Sequence, residues 1–367
     1  MEDLNLRIDA NYFANWVEVE ITLSIDTFST FSFSAPFVPE RPEFRSLFQP
    51  FTFRRVQIDS NLEPDLIDGY IVDIAPKFDP NGATIQVTGY SRPAVLCDCC
   101  IPGIDHRVKP PKIWNRQFNK SGLLLIAQQC CAPFGIGVVF DAPEGNPFDK
   151  VRIDSDKKVH EFLVDLAKQR NLVISNTRDG KLLFQQSVDT GSWRATFVEG
   201  KAPLKTVETQ FSPREYFSEI TGHAVKKRGK KPTQWTEYNP YLASPRRPHF
   251  FKLEDTDRAE APDATQAKMG RMFANMVTWT IPDLPTWRDP AGKLWEPNTT
   301  IMLRAPSAMV YRETELLIRT VKLKKTRDEE TATLECVLPG AFSGKAPVNL
   351  PWSERNEFEE QARRFFE

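Results

Sequence analysis

Val17-Glu18-Val19-Glu20-Ile21-Thr22-Leu23-Ser24-Ile25-Asp26 alternates apolar and polar residues without a break. Period two puts the five aliphatic side chains on one face of a strand and the carboxylates and hydroxyls on the other. After a Thr/Ser break, Phe31 and Phe33 continue the pattern. Val56 and Ile58 alternate with Arg55, Gln57 and Asp59, and Tyr70, Val72 and Ile74 form a third candidate strand. The turn Asp79-Pro80-Asn81-Gly82 separates it from Ile85, Val87 and Gly89. Short strands joined by Pro/Asn/Gly turns with no helix between them predict a small β-barrel or sandwich over residues 1–98.

Beyond it the period changes. Leu123, Ile126, Ala127, Cys130 and Cys131 fall on one helical face, with Ser121 as the expected cap. Val159, Phe162, Leu163, Leu166 and Ala167 repeat that spacing; Ser155 or Asp156 is expected to cap this second helix and Asn171 to end it. Leu172-Val173-Ile174, the turn Asp179-Gly180 and Leu182-Leu183-Phe184 then predict a hairpin. Residues 99–189 thus form a small α/β module. Strands return at Thr196–Val198, Glu219–Val225, Thr299–Leu303, Glu315–Lys322 and Thr331–Leu338. A Pro-rich loop, Asn239–His249, and a helix, Asp263–Val277, lie between them. The expected architecture is α+β and mainly β. A second β-barrel spans 190–239 and 286–345, interrupted by a helical and loop insertion at 240–285, and a tail helix follows at 346–367. No short-period repeat is present, but two β-domains flanking one module have the form of a distant duplication.

The chain has 367 residues, enough for two to four domains. Hydrophobic residues at 40% and charged residues at 26% describe a globular chain that is neither disordered nor fibrous. The net charge of −1 supplies no bulk attraction to nucleic acid or anionic membrane. The longest apolar runs, Leu123–Ala127 and Ile136–Phe140, are far shorter than the ~20 residues of a membrane span. Met1-Glu2-Asp3-Leu4 lacks the basic start of a signal peptide, so assembly in a cytoplasm is expected. With 26 Phe, 29 Pro and only 17 Gly, the composition suits short strands and ordered loops.

Catalytic patterns are weak. His106, His160, His223 and His249 share no metal spacing, and His160, in the charged half of its helix, reads as solvated. The stretch Gly340–Ala346 falls one residue short of a P-loop and has Ala where a hydroxyl must reach magnesium. No carboxylate pair is set apart in an apolar context, as glycoside hydrolysis requires. Neither a catalytic residue nor a cofactor is assigned.

Three further features stand out. Cys97, Cys99, Cys100, Cys130 and Cys131 crowd into 35 residues. They read as buried reduced thiols, as a disulfide between the two clusters (Cys99 with Cys130), or as a metal site that lacks the usual C-x₂-C spacing. Lys226, Lys227, Arg228, Lys230 and Lys231 form a basic loop around Gly229, a solvated hairpin tip or a contact to an acidic neighbour. In the tail, Phe358, Ala362, Phe365 and Phe366 line one stripe of a charged helix, which either folds back onto its own second barrel or, as expected, docks on a partner protein or a neighbouring subunit.

Several segments, in order, resemble the baseplate hub proteins of contractile-tailed phages, the Mu-type hub and late control protein D family. They are Leu66–Asp73, Val87–Asp98, Leu123–Ala127 with Pro133–Val138, Val159–Phe184 and Tyr216–His223. The most specific is Trp287 with Gly292-Lys293-Leu294-Trp295-Glu296-Pro297-Asn298, followed by Glu315-Leu316-Leu317-Ile318 and Cys336–Phe342. The resemblance implies a non-enzymatic homotrimer with two tail-tube-like barrels per subunit. Such a trimer adapts a sixfold tail tube to a threefold spike and forms part of the DNA-ejection channel. It implies as partners the chain itself, the central spike, the tail tube or its initiator, the tape-measure protein and neighbouring wedge proteins. DNA passes only in transit, and the protein resides in the virion baseplate after assembly in the host cytoplasm. Two alternatives share parts of this reading: a hub or spike component of a type VI-like injection system, and a cell-wall-degrading tail enzyme.

Overall fold

The computed structural model describes residues 2–80, 82–106, 109–224, 234–253, 261–340, 342–347 and 350–353. The alternating stretch that opened the reading is the strand Glu18–Ser24, with Val19, Ile21 and Leu23 buried. It pairs on one side with Thr30–Pro36. On the other side it pairs with a strand three hundred residues away, Val310–Thr326, in the register Thr320↔Ser24 to Thr326↔Glu18. Val321 and Leu323 are buried on the same face as their partners Leu23 and Ile21. On the wet face Lys324 reaches Glu18 at 3.1 Å. Lys325 is buried opposite Val19, and its ammonium lies 3.4 Å from Glu330.

This seam joins the N- and C-terminal β-segments into one 13-stranded sheet. Reading outward, the N-terminal half runs Glu18–Ser24, Thr30–Pro36, Gly82–Ser91, Ile67–Asp79, Arg55–Ser60 and Leu4–Ile8. The C-terminal half runs Val310–Thr326, Glu330–Val337, Val277–Leu284 and Glu208–Phe211. In both halves the seam strand pairs antiparallel with the strand that follows it in sequence, and then an antiparallel third strand is added. The sequence predicted two β-barrel domains; the described residues show a mainly β fold in which the two β-segments share this sheet. Among the described residues neither half closes on itself; Val310–Thr326 pairs along one edge first with Thr300–Ala305 of its own half and then with Glu18–Ser24 of the other. Bulges at Ile71/Asp73, Ile281/Leu284 and Ile318/Thr320 bend the sheet. Gly89 is required by packing: a Cβ there would lie 2.2 Å from the Tyr70 carbonyl and 2.3 Å from the Phe31 ring.

The module keeps its own core, built around Ile126, Cys130, Cys131, Phe162, Leu166 and Phe184. Its helices are Leu123–Cys131 and Val159–Lys168, and its three-stranded sheet runs Val138–Asp141, Leu182–Gln185, Val173–Asn176. The expected caps do not form. Gly122 precedes the first helix, and Glu144, from the loop beyond it, accepts the Leu124 amide at 2.9 Å. Lys158 precedes the second helix without a side-chain cap. Asn171 turns the chain after that helix at φ +54°, so that the Leu172 amide reaches the Ala167 carbonyl.

Glu219–Ala224, assigned from sequence to the second barrel, pairs instead with Gln234–Tyr238 and Pro248–Leu253 in a separate small sheet. The helix Ala261–Met276 covers that sheet. Gly222 has no room for a side chain, since a Cβ would meet the Thr265 hydroxyl at 2.6 Å. Met269, Met272, Phe273 and Met276 carry the helix into the main core. No described helix is long and apolar enough to cross a membrane.

Candidate functional site

The motif around Trp287 holds the parts together. Asp289 Oδ1 accepts the Ala291 and Lys293 amides at 2.9 Å, and Gly292 completes that tight turn at φ +79°. The turn returns the chain so that Trp295 and Leu294 enter the core beside Trp287. The Trp287 indole N–H donates to the carbonyls of Lys324 and Thr331, at 3.1 and 3.0 Å, one on each arm of the seam hairpin. Asn298 then grips the exit of the module. Its side chain donates to Gln185 Oε1 and the Gln186 carbonyl, and accepts the Val188 amide at 2.8 Å.

Glu296, from the same motif, opens an ion network that crosses all three parts. It accepts from Arg178, on the module hairpin, at 2.9 Å and from Arg194 at 3.4 Å. Arg178 also reaches Glu63 at 2.8 Å. Arg288 contacts Glu63 at 3.2 Å and Glu2 at 2.7 Å, and Arg194 contacts Asp289 at 3.3 Å. The Glu2 and Asp289 side chains are almost wholly buried, so this network fixes the relative placement of the parts rather than decorating a surface. Of its members, Glu296 and Arg178 lie within the segments marked by the sequence motifs; the others carry no periodic signature.

The cysteines divide by location. Cys130 and Cys131 are fully buried on the module helix, whereas Cys97 is exposed and Cys99 and Cys100 are half-buried. Their segment docks on the start of the second module helix, where the Val159 amide donates to the Cys99 carbonyl and Cys100 Sγ lies 3.3 Å from the Asp156 carbonyl. All six cysteines are free thiols, so the two clusters, Cys99 and Cys130 included, are unbridged in this structure. Among the described residues no group of three or more His, Cys, Asp or Glu side chains is placed to hold a metal. His160 is not solvated as expected: its ring packs 4.9 Å from Phe28, its Nε2 is buried, and burial lowers its pKa. The basic loop Lys226–Lys231 and the tail stripe Phe358, Ala362, Phe365 and Phe366 lie outside the described residues.

Large apolar side chains also project from tips and loops. Phe51 is 93% exposed at φ +63°, and Phe78, beside the Asp79–Gly82 turn, is 84% exposed. Tyr12 is also exposed, next to one end of the large sheet.

Residues 94–186 match the family described as baseplate hub protein gp44-like, second domain. Over 341 residues the chain is 24% identical to the baseplate hub protein gp44 of Escherichia phage Mu, covering 87% of this chain and 83% of that protein. In fold it is similar to the 43 kDa tail protein of prophage MuSo2 from Shewanella oneidensis, with a TM-score of 0.75, 24% identity and coverage of 93% and 99% of the two chains. It is likewise similar to a tail protein from Neisseria meningitidis MC58, with a TM-score of 0.74, 16% identity and coverage of 94% and 99%. The resemblance to the Mu-type baseplate hub family, read from the ordered motifs, extends over nearly the whole chain.

Proposed function

We propose that this chain, a relative of Mu-type baseplate hub proteins, is the central hub subunit of a contractile phage tail. It acts structurally, as a homotrimer that adapts the sixfold tail tube to the threefold spike and encloses part of the ejection channel. The observation that carries the reading is the seam. Two antiparallel β-segments, one N-terminal and one C-terminal, are joined edge to edge in one sheet, so each subunit presents two β-units side by side. Three subunits then present six, which is the geometry a threefold-to-sixfold adaptor needs. The Trp287 clasp and the ion network hold both halves and the module as one body, as a part bearing load during contraction requires.

In this reading the partners are a second and third copy, the spike, the tube or its initiator, the tape-measure protein and wedge proteins, with DNA passing through. The tail stripe Phe358, Ala362, Phe365 and Phe366 docks on one of them, and the loop Lys226–Lys231 contacts an acidic neighbour. The protein resides in the virion baseplate after assembly in the host cytoplasm. Removing the gene from a producing phage should leave tails without an attached spike, and supplying the chain in trans should restore them. Normal spiked tails in its absence would refute the reading. Clearing of a peptidoglycan suspension by the purified chain would favour a cell-wall enzyme instead.

A further inference from the structure

A cavity of about 260 Å³ lies where the module helix, the insertion helix and the seam meet. His160, Val164 and Lys168 face it at intervals of four along one helix, and Arg271 and Asn275 face it from the other. Arg319 enters from the strand bulge between Ile318 and Thr320, a local break in register that re-aims a side chain. Asp26, just past the first seam strand, is the one carboxylate in the lining.

The charges do not balance. Asp26 is spent on Arg319, whose Nε and Nη2 lie 3.2 and 2.8 Å from its two oxygens. Arg319 Nη1 points at Asn275 Oδ1, 3.4 Å away. Arg271 donates only to the Leu172 carbonyl, at 2.9 Å, and neither Arg271 nor Lys168 has a carboxylate partner among the described residues. His160 adds a buried Nε2 with no partner. Burial holds the Arg271 guanidinium down to about 10, below its ordinary range, and the nearby Asp26 charge, already engaged by Arg319, offsets this only in part. A guanidinium fork matches two oxygens of a tetrahedral oxyanion, and a second cation beside it adds charge without competing for geometry.

We propose that this cavity binds a small oxyanion of the phosphate or sulfate class, held by Arg271 with Arg319 and Lys168. The site is built from the module, the insertion and the seam together, so the anion ties three parts of the chain and stabilises only their joined state. This does not depend on the hub reading.

The test uses the full-length chain and inorganic phosphate titrated at constant ionic strength against chloride. Thermal unfolding should shift upward, continuing to rise with the logarithm of phosphate concentration, calorimetry should give a saturable isotherm with one site per chain, and sulfate should compete where chloride does not. Arg271→Met should bind phosphate at least about tenfold more weakly, a loss on the scale of one charge-assisted contact. In phosphate-free buffer that variant should melt close to the parent, since the loss of the bond to the Leu172 carbonyl is offset by removal of a desolvated charge. Lys168→Ala, at the rim, should weaken phosphate about threefold with the phosphate-free melting unchanged. The proposal is overturned if the parent shows no shift beyond that in chloride and no saturable calorimetric isotherm, or if Arg271→Met responds like the parent. Should Arg271→Met not fold, unchanged phosphate affinity in Lys168→Ala overturns it equally.

Discussion

Trp287 has no exposed surface, and its single N–H is shared by two carbonyls on opposite arms of the seam hairpin. Trp287→Phe removes the donor and leaves both acceptors buried. It should cost about 1–3 kcal/mol in urea unfolding with the m-value unchanged; a neutral result would mean the indole fills space only. The buried thiols give a second residue-scale expectation. Burial pushes Cys131 up to about 12 from an ordinary 9.0, and burial, then the neighbouring Cys131, raises Cys130. A folded-state value above the unfolded one contributes stability that is fully present below pH 9 and is lost as pH climbs toward 12. The double variant Cys130→Ala/Cys131→Ala should therefore lose less stability than the parent between pH 9 and about 11; parallel pH curves would contradict it. At this scale the sequence was partly legible. Helical spacing put Cys130 and Cys131 on the core face, but His160 was misread because the Phe28 ring that covers it comes from a segment 132 residues earlier. The cap from Glu144 was invisible for the same reason: it lies in space beside the helix start, not in sequence before it.

At the scale of elements, alternation found the strands and could not find their partners. Val19, Ile21 and Leu23 declare a buried face, but nothing local says that the neighbour is Val321–Lys325. Strand register is settled by matching two apolar faces in three dimensions. That is why the shared seam went unseen in the sequence, and why Glu219–Ala224 was not assigned to the small sheet it joins. Turn chemistry travelled better, since Asp79–Gly82 and Asn171 act where the residues themselves require it. Packing between elements is tight enough to test. Gly89→Ala places a methyl against the Tyr70 carbonyl and the Phe31 ring and should destabilise by about 1–3 kcal/mol, read as a lower urea midpoint. The exposed tips should behave oppositely. Phe51→Ser and Phe78→Ser touch little within the chain, so melting should stay within about 0.5 kcal/mol of the parent. In the hub reading they weaken incorporation into baseplates; variants that assemble normally would show that these side chains are not partner contacts.

For the molecule as a whole, the ordered motifs carried more than any single one. Trp287, Glu296 and Asn298 matter because they clamp the module, the seam and the loop network at one junction. Much of that network was illegible, since Glu2 and Glu63 reach Arg288 and Arg178 from N-terminal segments far away in sequence. Two β-segments joined in one sheet fit the proposed component that must match two symmetries, and this makes oligomeric state the quantity on which the account turns. The direct measurement is the mass in solution, by light scattering or native mass spectrometry, of the purified full-length chain with its spike partner. The account predicts three copies of the 42.0 kDa chain per complex. A stable 42.0 kDa monomer in the presence of the spike would contradict it.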